Sequence, residues 1–308
     1  MTFLWCLFAF QTNPFGVAFH PLPLARSLHR LASETPYTAA DLNFAPTPAS
    51  AKASTKEEER NVNSSNVSRK GLYYSLDHHS KYSHHEVAQC LELINADLAL
   101  GARQLRQAKF LFLTLGTSWG YSVLDDSTLE RAVAIEGGEI MTEAKLDEAA
   151  LLAGQRMTGD VVANCHRLPG KTFRKHMCSP SDAAAALRGA IEACRRVNPK
   201  LQVVLTVSPV RHWRDGAVEN SRSKASLHLA IDDLVQNQLI HDDATKGALR
   251  VASSEKQSLP EDPFISYFPS YELVLDDLRD YRFFNEDMLH PSEVTSKSLT
   301  EHISCVMW

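Results

Sequence analysis

Three features are missing from this sequence, and each absence argues against a class of protein. No apolar run approaches the roughly 20 residues that a helix needs to cross a bilayer. Acidic residues outnumber basic ones, 37 to 32, and the formal net charge is −5, so the chain has no excess of basic residues for binding nucleic acid. No Cys-x-x-Cys pair is present either. Membrane-spanning proteins, nucleic-acid-binding proteins and proteins with paired-cysteine metal sites are therefore not expected.

Cysteines are also too sparse for a disulfide framework, which in a small secreted domain is much denser. We therefore predict reduced, mostly buried thiols at Cys6, Cys90, Cys165, Cys178, Cys194 and Cys305. The N-terminal stretch "MTFLWCLFAF" is apolar, but no Lys or Arg precedes it and no small-residue cleavage pattern follows it. A signal peptide requires both of these features. A cytoplasmic location is expected.

Two polar stretches interrupt the chain. Residues 45–70 are rich in Ala, Pro, Ser, Asn and charge and poor in large apolar groups, so they cannot repay the entropy of ordering and are predicted to be a disordered insertion. Residues 242–263 are predicted to form a long loop. Because the whole chain has an ordinary hydrophobic content of 44% and no internal repeat, we predict one domain over residues 1–308.

Segments typical of strands and helices alternate between these breaks. Continuous apolar runs such as "FLFLTL" have the length and character of buried parallel strands, whereas apolar residues at helical spacing predict helices. The predicted helices are 86–108, 179–199 and 223–240, and the predicted strands are 109–117, 160–165, 201–210 and 264–269. This alternation predicts a three-layer α/β/α sandwich with a mainly parallel sheet.

Polar residues follow several of these strands, where ligands gather in open α/β sheets. They are Gly116, Asn164, Arg211, His212 and, in "NEDMLHPS", the pair Asp287 and His290. An Asp-x-x-His pair can hold an imidazole in the tautomer that a general base needs.

Each of these residues also has a purely structural explanation. The glycine can serve a tight strand exit, the asparagine a turn, and the Asp–His pair a helix start. The arginine and its neighbouring histidine can form an exposed loop with an ion pair to Asp215 or Glu219, or they can bind a substrate carboxylate or ester oxygen. Lys224 is predicted to lie near a helix start.

Taken together, long blocks of the sequence resemble one family. "NPFGVAFHP", "SLDHHSKYS", "TLGTSWGY", "VVANCHRLPGKTF", "TVSPVRHWRDG" and "YFPSYELVLDDLRDYRFFNEDMLHPS" resemble the GSCFA family in order and spacing. That family is similar to the SGNH hydrolases, which have a flavodoxin-like α/β/α fold and cleave ester bonds. The resemblance implies oxyanion donors at Gly116 and Asn164, a base at His290 and its orienting acid at Asp287. It implies a small-molecule or carbohydrate ester as substrate and no cofactor.

The nucleophile of that family is not found in its expected place. The family motif Gly-Ser-Cys-Phe-Ala precedes the "NPFG" block by enough chain for a helix, but here "NPFG" begins at Asn13. The nearest match, "WCLFAF", lacks the Gly-Ser, and Cys6 lies too close to Asn13. We therefore expect an N-terminally truncated chain that lacks its first strand and is inactive as a hydrolase. The alternative is a non-catalytic binding protein that retains the pocket.

A histidine cluster invites a metal hypothesis, since "DHHSKYSHHE" contains His78, His79, His84 and His85. No cysteine or acidic partner stands at a defined metal-ligand spacing around them. No metal site is therefore predicted.

Overall fold

The computed structural model describes residues 15–46, 71–124, 130–131, 159–237 and 263–306. The chain divides into two units, one made of Met1–Ala18, Pro23–Gln107 and Tyr121–His176 and the other of Phe19–Leu22, Ala108–Gly120 and Met177–Trp308. The disordered insertion predicted at 45–70 is wrong for its first two residues, which belong to the strand Asn43–Pro46, and the rest of it lies outside the described residues. The loop predicted at 242–263 also lies outside them up to residue 262, as does Cys6. The single-domain organisation stays a prediction.

The second unit contains the parallel sheet. Its three strands are β3 (Phe110–Leu115), β7 (Gln202–Val207) and β8 (Ile265–Tyr267), in the order β3-β7-β8. Both pairs are parallel, and Leu115 stands opposite Val207 at the carboxyl ends of β3 and β7. Alternate residues of a strand point to the same face of its sheet, and one face of this sheet carries six buried apolar side chains: Leu113, Leu115, Val203, Leu205, Val207 and Ile265. The predicted α/β fold with a parallel sheet is confirmed.

Two long helices of this unit pack against each other, α3 (Pro180–Val197) and α4 (Ala217–Gln236). The start of α3 is defined by Ser179, whose hydroxyl accepts the N–H of Asp182 at 3.1 Å, and by proline in the first turn. The helix ends at Asn198, just before Pro199, which cannot continue it. This agrees with the helix predicted for 179–199.

A third helix of the second unit, α5 (Glu293–Val306), comes after a short helical segment at Ser270–Glu272 and a π-helical turn at Leu273–Asp277. Throughout the described residues, no helix is both long enough and apolar enough to cross a membrane.

The first unit combines helices with a small antiparallel sheet. The helices are α1 (Pro21–Ser33) and α2 (Val87–Gln107), and the first two residues of α1 belong to the second unit. In the sheet, β1 (Asn43–Pro46) pairs with β2 (Gly71–Tyr74) on one side and with β5 (Glu130–Arg131) on the other. The buried stripe of α2 recurs every three or four residues, as an amphipathic helix requires. Its members pack with aromatic residues in one core, formed by Phe15, Tyr37, Leu42, Phe44, Tyr73, Tyr82, Val87, Cys90, Ile94 and Leu98.

The predicted strand at 160–165 is wrong. Only Val161 forms an isolated bridge, to Ser122, while β4 (Trp119–Val123) pairs with β6 (Phe173–Met177). Residues after Val161 turn away from extended geometry, and His166 and Arg167 both have left-handed φ angles, 48° and 57°. The apolar start of this segment resembles a strand, and the N–H of Val162 donates to the Tyr121 carbonyl of β4. The next two N–H groups, of Ala163 and Asn164, both donate to the Leu76 carbonyl in a loop, so no regular strand pairing continues.

Candidate functional site

The Asp287–His290 pair is formed as the resemblance implies. His290 Nδ1 lies 2.5 Å from Asp287 Oδ2, and both side chains are about half exposed. The other carboxylate oxygen, Oδ1, accepts the backbone N–H groups of Leu289 and His290 at 2.9 Å each. Among the described residues, none forms a hydrogen bond with His290 Nε2. The ring is therefore oriented through one nitrogen and has the other available.

The hydrogen bonds to the carboxylate also set its charge. The backbone N–H of His290, followed by its ring and the N–H of Leu289, lowers the pKa of Asp287 to about 2. The group is thus an anion at any neutral pH, as an orienting acid must be.

The loop that holds this pair is not a helix start, which excludes that structural explanation. Helix α5 begins only at Glu293. The loop closes because the N–H of Asn285 donates to the His290 carbonyl at 2.8 Å, and Met288 takes a left-handed φ of 56°. The hydroxyl of buried Thr295 anchors it further by donating to the Phe283 carbonyl at 2.6 Å.

Asn164 presents its amide NH2 group rather than its oxygen. Its Oδ1 accepts the N–H of His166 at 2.8 Å, and its own backbone N–H donates to the Leu76 carbonyl at 3.0 Å. No described residue bonds to Nδ2. An amide fixed through its oxygen has its two donor hydrogens available, which is what an oxyanion donor needs.

Gly116 lies directly after β3 and is tightly surrounded. A Cβ there would lie 3.0 Å from Phe19 Cβ and Cδ1 and 3.4 Å from His212 Nε2. The N–H of Gly116 donates to the Phe19 carbonyl at 2.8 Å, and the N–H of Thr117 donates to the same oxygen at 3.1 Å. Two consecutive donors thus converge on one oxygen, but in this structure that oxygen belongs to the backbone.

The two basic residues after β7 differ in environment. Arg211 is exposed, whereas His212 is half-buried. The His212 ring lies edge-on to Phe19 at a centroid distance of 5.8 Å, and the backbone N–H of His212 donates to Asn220 Oδ1 at 3.0 Å. Burial, and next the charge of Lys224, lowers the pKa of His212, so its ring is neutral at pH 7. Glu219, one of the predicted ion-pair partners of Arg211, pairs with Arg222 at 2.8 Å.

Lys224 is the residue that the sequence interpretation misplaced. It lies in the middle of α4, with an exposure of 2%, and not at a helix start. Its Nζ donates to the carbonyls of Gly116 at 2.6 Å and Ser208 at 2.7 Å. The available signal was its setting among small residues, since Ser223 and Ser226 share the buried face of the helix.

The predicted site residues fall into three groups. Gly116 and His212 lie together around Phe19, and Asp287 lies against His290, all within the second unit. Asn164 belongs to the first unit.

Each of the four clustered histidines forms a hydrogen bond with a different partner. His78 bonds to Ser75 Oγ, while His79 and His84 each accept a nearby backbone N–H. His85 bonds to the Gly71 carbonyl at 2.6 Å. Within the described ranges no three His, Cys, Asp or Glu side chains are grouped as metal ligands would be.

Comparison with known proteins decides the family. The family model described as the GSCFA family matches residues 5–134 and 154–303. The chain belongs to the GSCFA family. The match spans both Asn164 and the Asp287–His290 loop, so both lie within the part of the chain that this family shares. No curated protein and no solved structure matches the chain.

Proposed function

We propose that this GSCFA-family chain carries the acid–base and oxyanion groups of an SGNH-like ester hydrolase or acyltransferase. The observation that carries the proposal is the Asp287–His290 pair, in which a carboxylate bonds to one ring nitrogen at 2.5 Å and the other nitrogen is available. That is the arrangement of a general base whose orientation is set by an acid. The substrate class is a small-molecule or carbohydrate ester.

In the proposed reaction His290 Nε2 takes the proton of an attacking hydroxyl group as its oxygen bonds to the ester carbon. The same ring then returns that proton to the leaving alcohol oxygen as the ester bond breaks. Asp287 stays an anion and stabilises the imidazolium between these two steps. The family resemblance assigns Asn164 Nδ2 the role of donor to the carbonyl oxygen while that oxygen carries negative charge. Gly116 would act as a second donor only after the Phe19 carbonyl has moved away.

In the family the attacking hydroxyl group is that of the serine in the Gly-Ser-Cys-Phe-Ala motif. The 308-residue sequence contains no Gly-Ser pair. The test therefore compares the 308-residue chain with the same chain preceded by a Gly-Ser-Cys-Phe-Ala segment and a helical linker. We expect the extended protein to hydrolyse p-nitrophenyl acetate and the 308-residue chain to be far slower.

Substitution of the base then tests its role. In the extended protein, His290→Ala should lower kcat by about 10²–10⁴-fold, the usual contribution of a positioned general base. His302→Ala is the matched control, because His302 is an exposed histidine on α5 whose one hydrogen bond among the described residues is to the Ser298 carbonyl of its own helix. Unchanged turnover in His290→Ala would contradict the assignment.

The alternative function that we propose is that of a binding protein that retains the pocket. That reading predicts saturable binding of an acyl ester by the 308-residue chain, measured by calorimetry, and no turnover by either protein. Turnover by the extended protein would exclude it.

A further inference from the structure

A small polar cavity lies beside Asn164 within the first unit. Its volume is about 10 Å³, enough for roughly one oxygen-sized atom. Asp77, His78 and Ser27 also line it. Ser27 Oγ donates to the Pro23 carbonyl, and the charge of Asp77 is matched by Arg26, whose Nη2 is 2.6 Å from Oδ1. A second carboxylate, Asp160, lies 3.6 Å from the same guanidinium.

His78 is held rigidly at this cavity. Its exposure is 1%, and three aromatic rings contact it edge-on at centroid distances of 4.6–5.5 Å: Phe15, Tyr37 and Tyr82. Burial lowers its pKa to about 4. The ring is therefore neutral at pH 7 and carries one N–H.

The hydrogen bond between His78 Nδ1 and Ser75 Oγ bears on which ring nitrogen carries that hydrogen. Ser75 Oγ accepts the N–H of Asp77 at 3.3 Å and lies 2.8 Å from His78 Nδ1. Ser75 is itself buried, and His78 Nδ1 is the acceptor within reach of its hydroxyl hydrogen among the described residues. If Ser75 donates to Nδ1, then Nε2 is the protonated nitrogen.

His78 Nε2 is a buried atom without a hydrogen bond in the described part of the chain. A buried donor left without an acceptor costs about 1–3 kcal/mol, so such a group in a native protein calls for an explanation. Asn164 also lines this cavity, and its amide NH2 is likewise without a hydrogen bond among the described residues.

We propose that His78 Nε2–H and Asn164 Nδ2–H form a two-donor site for a single oxygen atom of a carbonyl or carboxylate group. This identification rests on the proposed function: the oxygen is the carbonyl oxygen of the ester, and His78 is a further catalytic residue. As the nucleophile adds to the carbonyl carbon, the C=O electron pair moves to this oxygen, and both donors then face a full negative charge. The pair returns when the leaving group departs, and neither side chain gives up its proton.

The first test needs no turnover and uses the 308-residue chain. Sodium acetate, a carboxylate probe, is titrated against protein with ¹⁵N-labelled histidine and asparagine, and the His78 Nε2–H and Asn164 Nδ2–H signals are followed by NMR. We expect both signals to shift together with one dissociation constant. Sodium chloride at equal ionic strength should leave them in place. Acetate that shifts neither signal would show that the cavity holds water only, and would overturn the proposal.

Two variants sharpen this result. Asn164→Asp retains the Oδ1 acceptor of the His166 N–H and replaces the donor by an oxygen, so acetate affinity should fall at least tenfold. Ser75→Ala retains the imidazole but removes the hydroxyl that assigns its tautomer, and should also weaken binding. Ser75→Ala also tests the site without replacing His78, which is needed if the His78→Gln variant, used in the second test, does not fold. Wild-type affinity in both Asn164→Asp and Ser75→Ala would contradict the site.

The second test separates this site from the proposed function. In the extended protein, His78→Gln should lower kcat on p-nitrophenyl acetate by about 10²–10³-fold with KM nearly unchanged, the usual effect of losing one oxyanion donor. Turnover that depends on His290 but not on His78 would overturn the oxygen site and leave the esterase intact. Acetate binding without any turnover would refute the esterase and leave the oxygen site standing.

Discussion

Lys224 shows how one side chain organises the end of the parallel sheet. Its ammonium has no carboxylate partner among the described residues, and its two acceptors are the carbonyls that follow β3 and β7. Leu115 and Val207 are paired at the ends of those strands, so the lysine ties two adjacent strand ends together. Burial lowers its pKa to about 8. The neighbouring ionisable groups are His212 and, one turn along the helix, His228, whose pKa values its charge helps to lower.

Replacing this lysine should change both stability and its pH dependence. Lys224→Met leaves two buried carbonyls without a donor, so the free energy of unfolding at pH 7 should fall by about 1–3 kcal/mol. The folded pKa of about 8 lies below the unfolded value of 10.5, so the unfolded chain binds the proton more tightly between these values. The contribution of Lys224 to stability therefore rises with pH across this window.

Urea unfolding at pH 7.5 and pH 10 measures this effect. The difference between wild type and Lys224→Met should grow at the higher pH. Lys171→Met, at an exposed lysine, is the control and should follow the wild type. Identical pH dependence in wild type and Lys224→Met would show that the ammonium is not destabilised by burial.

At the scale of elements, the exit of β3 favours a glycine because of packing rather than backbone conformation. A Cβ at Gly116 would lie 3.0 Å from Phe19 Cβ and Cδ1, so the Phe19 side chain would have to shift to make room for it. Phe19 is in turn held by the N–H groups of Gly116 and Thr117, and the His20 ring lies 3.1 Å from the Ser118 carbonyl. The strand exit and this short segment are thus bonded into one structure.

A methyl group at this exit should disturb it. Gly116→Ala should lower the free energy of unfolding by about 1–3 kcal/mol through overpacking. Gly170→Ala is the matched control, because a Cβ there meets nothing within 4 Å, and it should be neutral or slightly stabilising. Urea unfolding compares the two, and equal stabilities would mean that Phe19 and His212 give way freely.

Elements were predictable where the signal is local. Helix α2 carries its apolar stripe over its whole length, and α3 has a Ser cap and a Pro stop, so both were found within about two residues. Helix α4 begins at Ala217, six residues before the predicted 223, because its first turns are polar and Val218 is exposed. A helix start without an apolar face gives no periodic signal.

At the scale of the whole molecule, the described cysteines behave as small buried hydrophobic groups. Cys90, Cys178 and Cys194 are free and buried, which confirms the thiol prediction for them, and Cys165 is partly exposed. Burial raises the pKa of Cys90 and Cys178 to about 11 and that of Cys194 to about 12. The side chains of Cys6 and Cys305 lie outside the described residues.

Thiol alkylation therefore reports unfolding. Because the thiolate is the reactive form, iodoacetamide at pH 7.5 should modify Cys90, Cys178 and Cys194 only after urea unfolds the chain. Peptide mass spectrometry assigns the modified positions, with fully unfolded protein as the positive control. Alkylation of Cys90 or Cys194 in native protein at the rate of a free thiol would contradict the burial.

The sequence by itself determined those features that depend on residues close together in the chain. The alternation of elements, the caps of α3 and the Asp287–His290 pair all depend on residues within a few positions of one another, where side-chain spacing dictates geometry. The same holds for the family, whose blocks are continuous stretches of chain.

Only the tertiary structure decided which long-range partners each polar group meets. Lys224 bonds to a carbonyl 108 residues away, and the N–H of Gly116 is occupied by Phe19. Three aromatic rings and a serine pack around His78, and its Nε2 has no hydrogen-bond partner among the described residues. Hydrogen bonds between distant segments leave no periodic trace in a sequence, because they form only where folding brings the two backbones together.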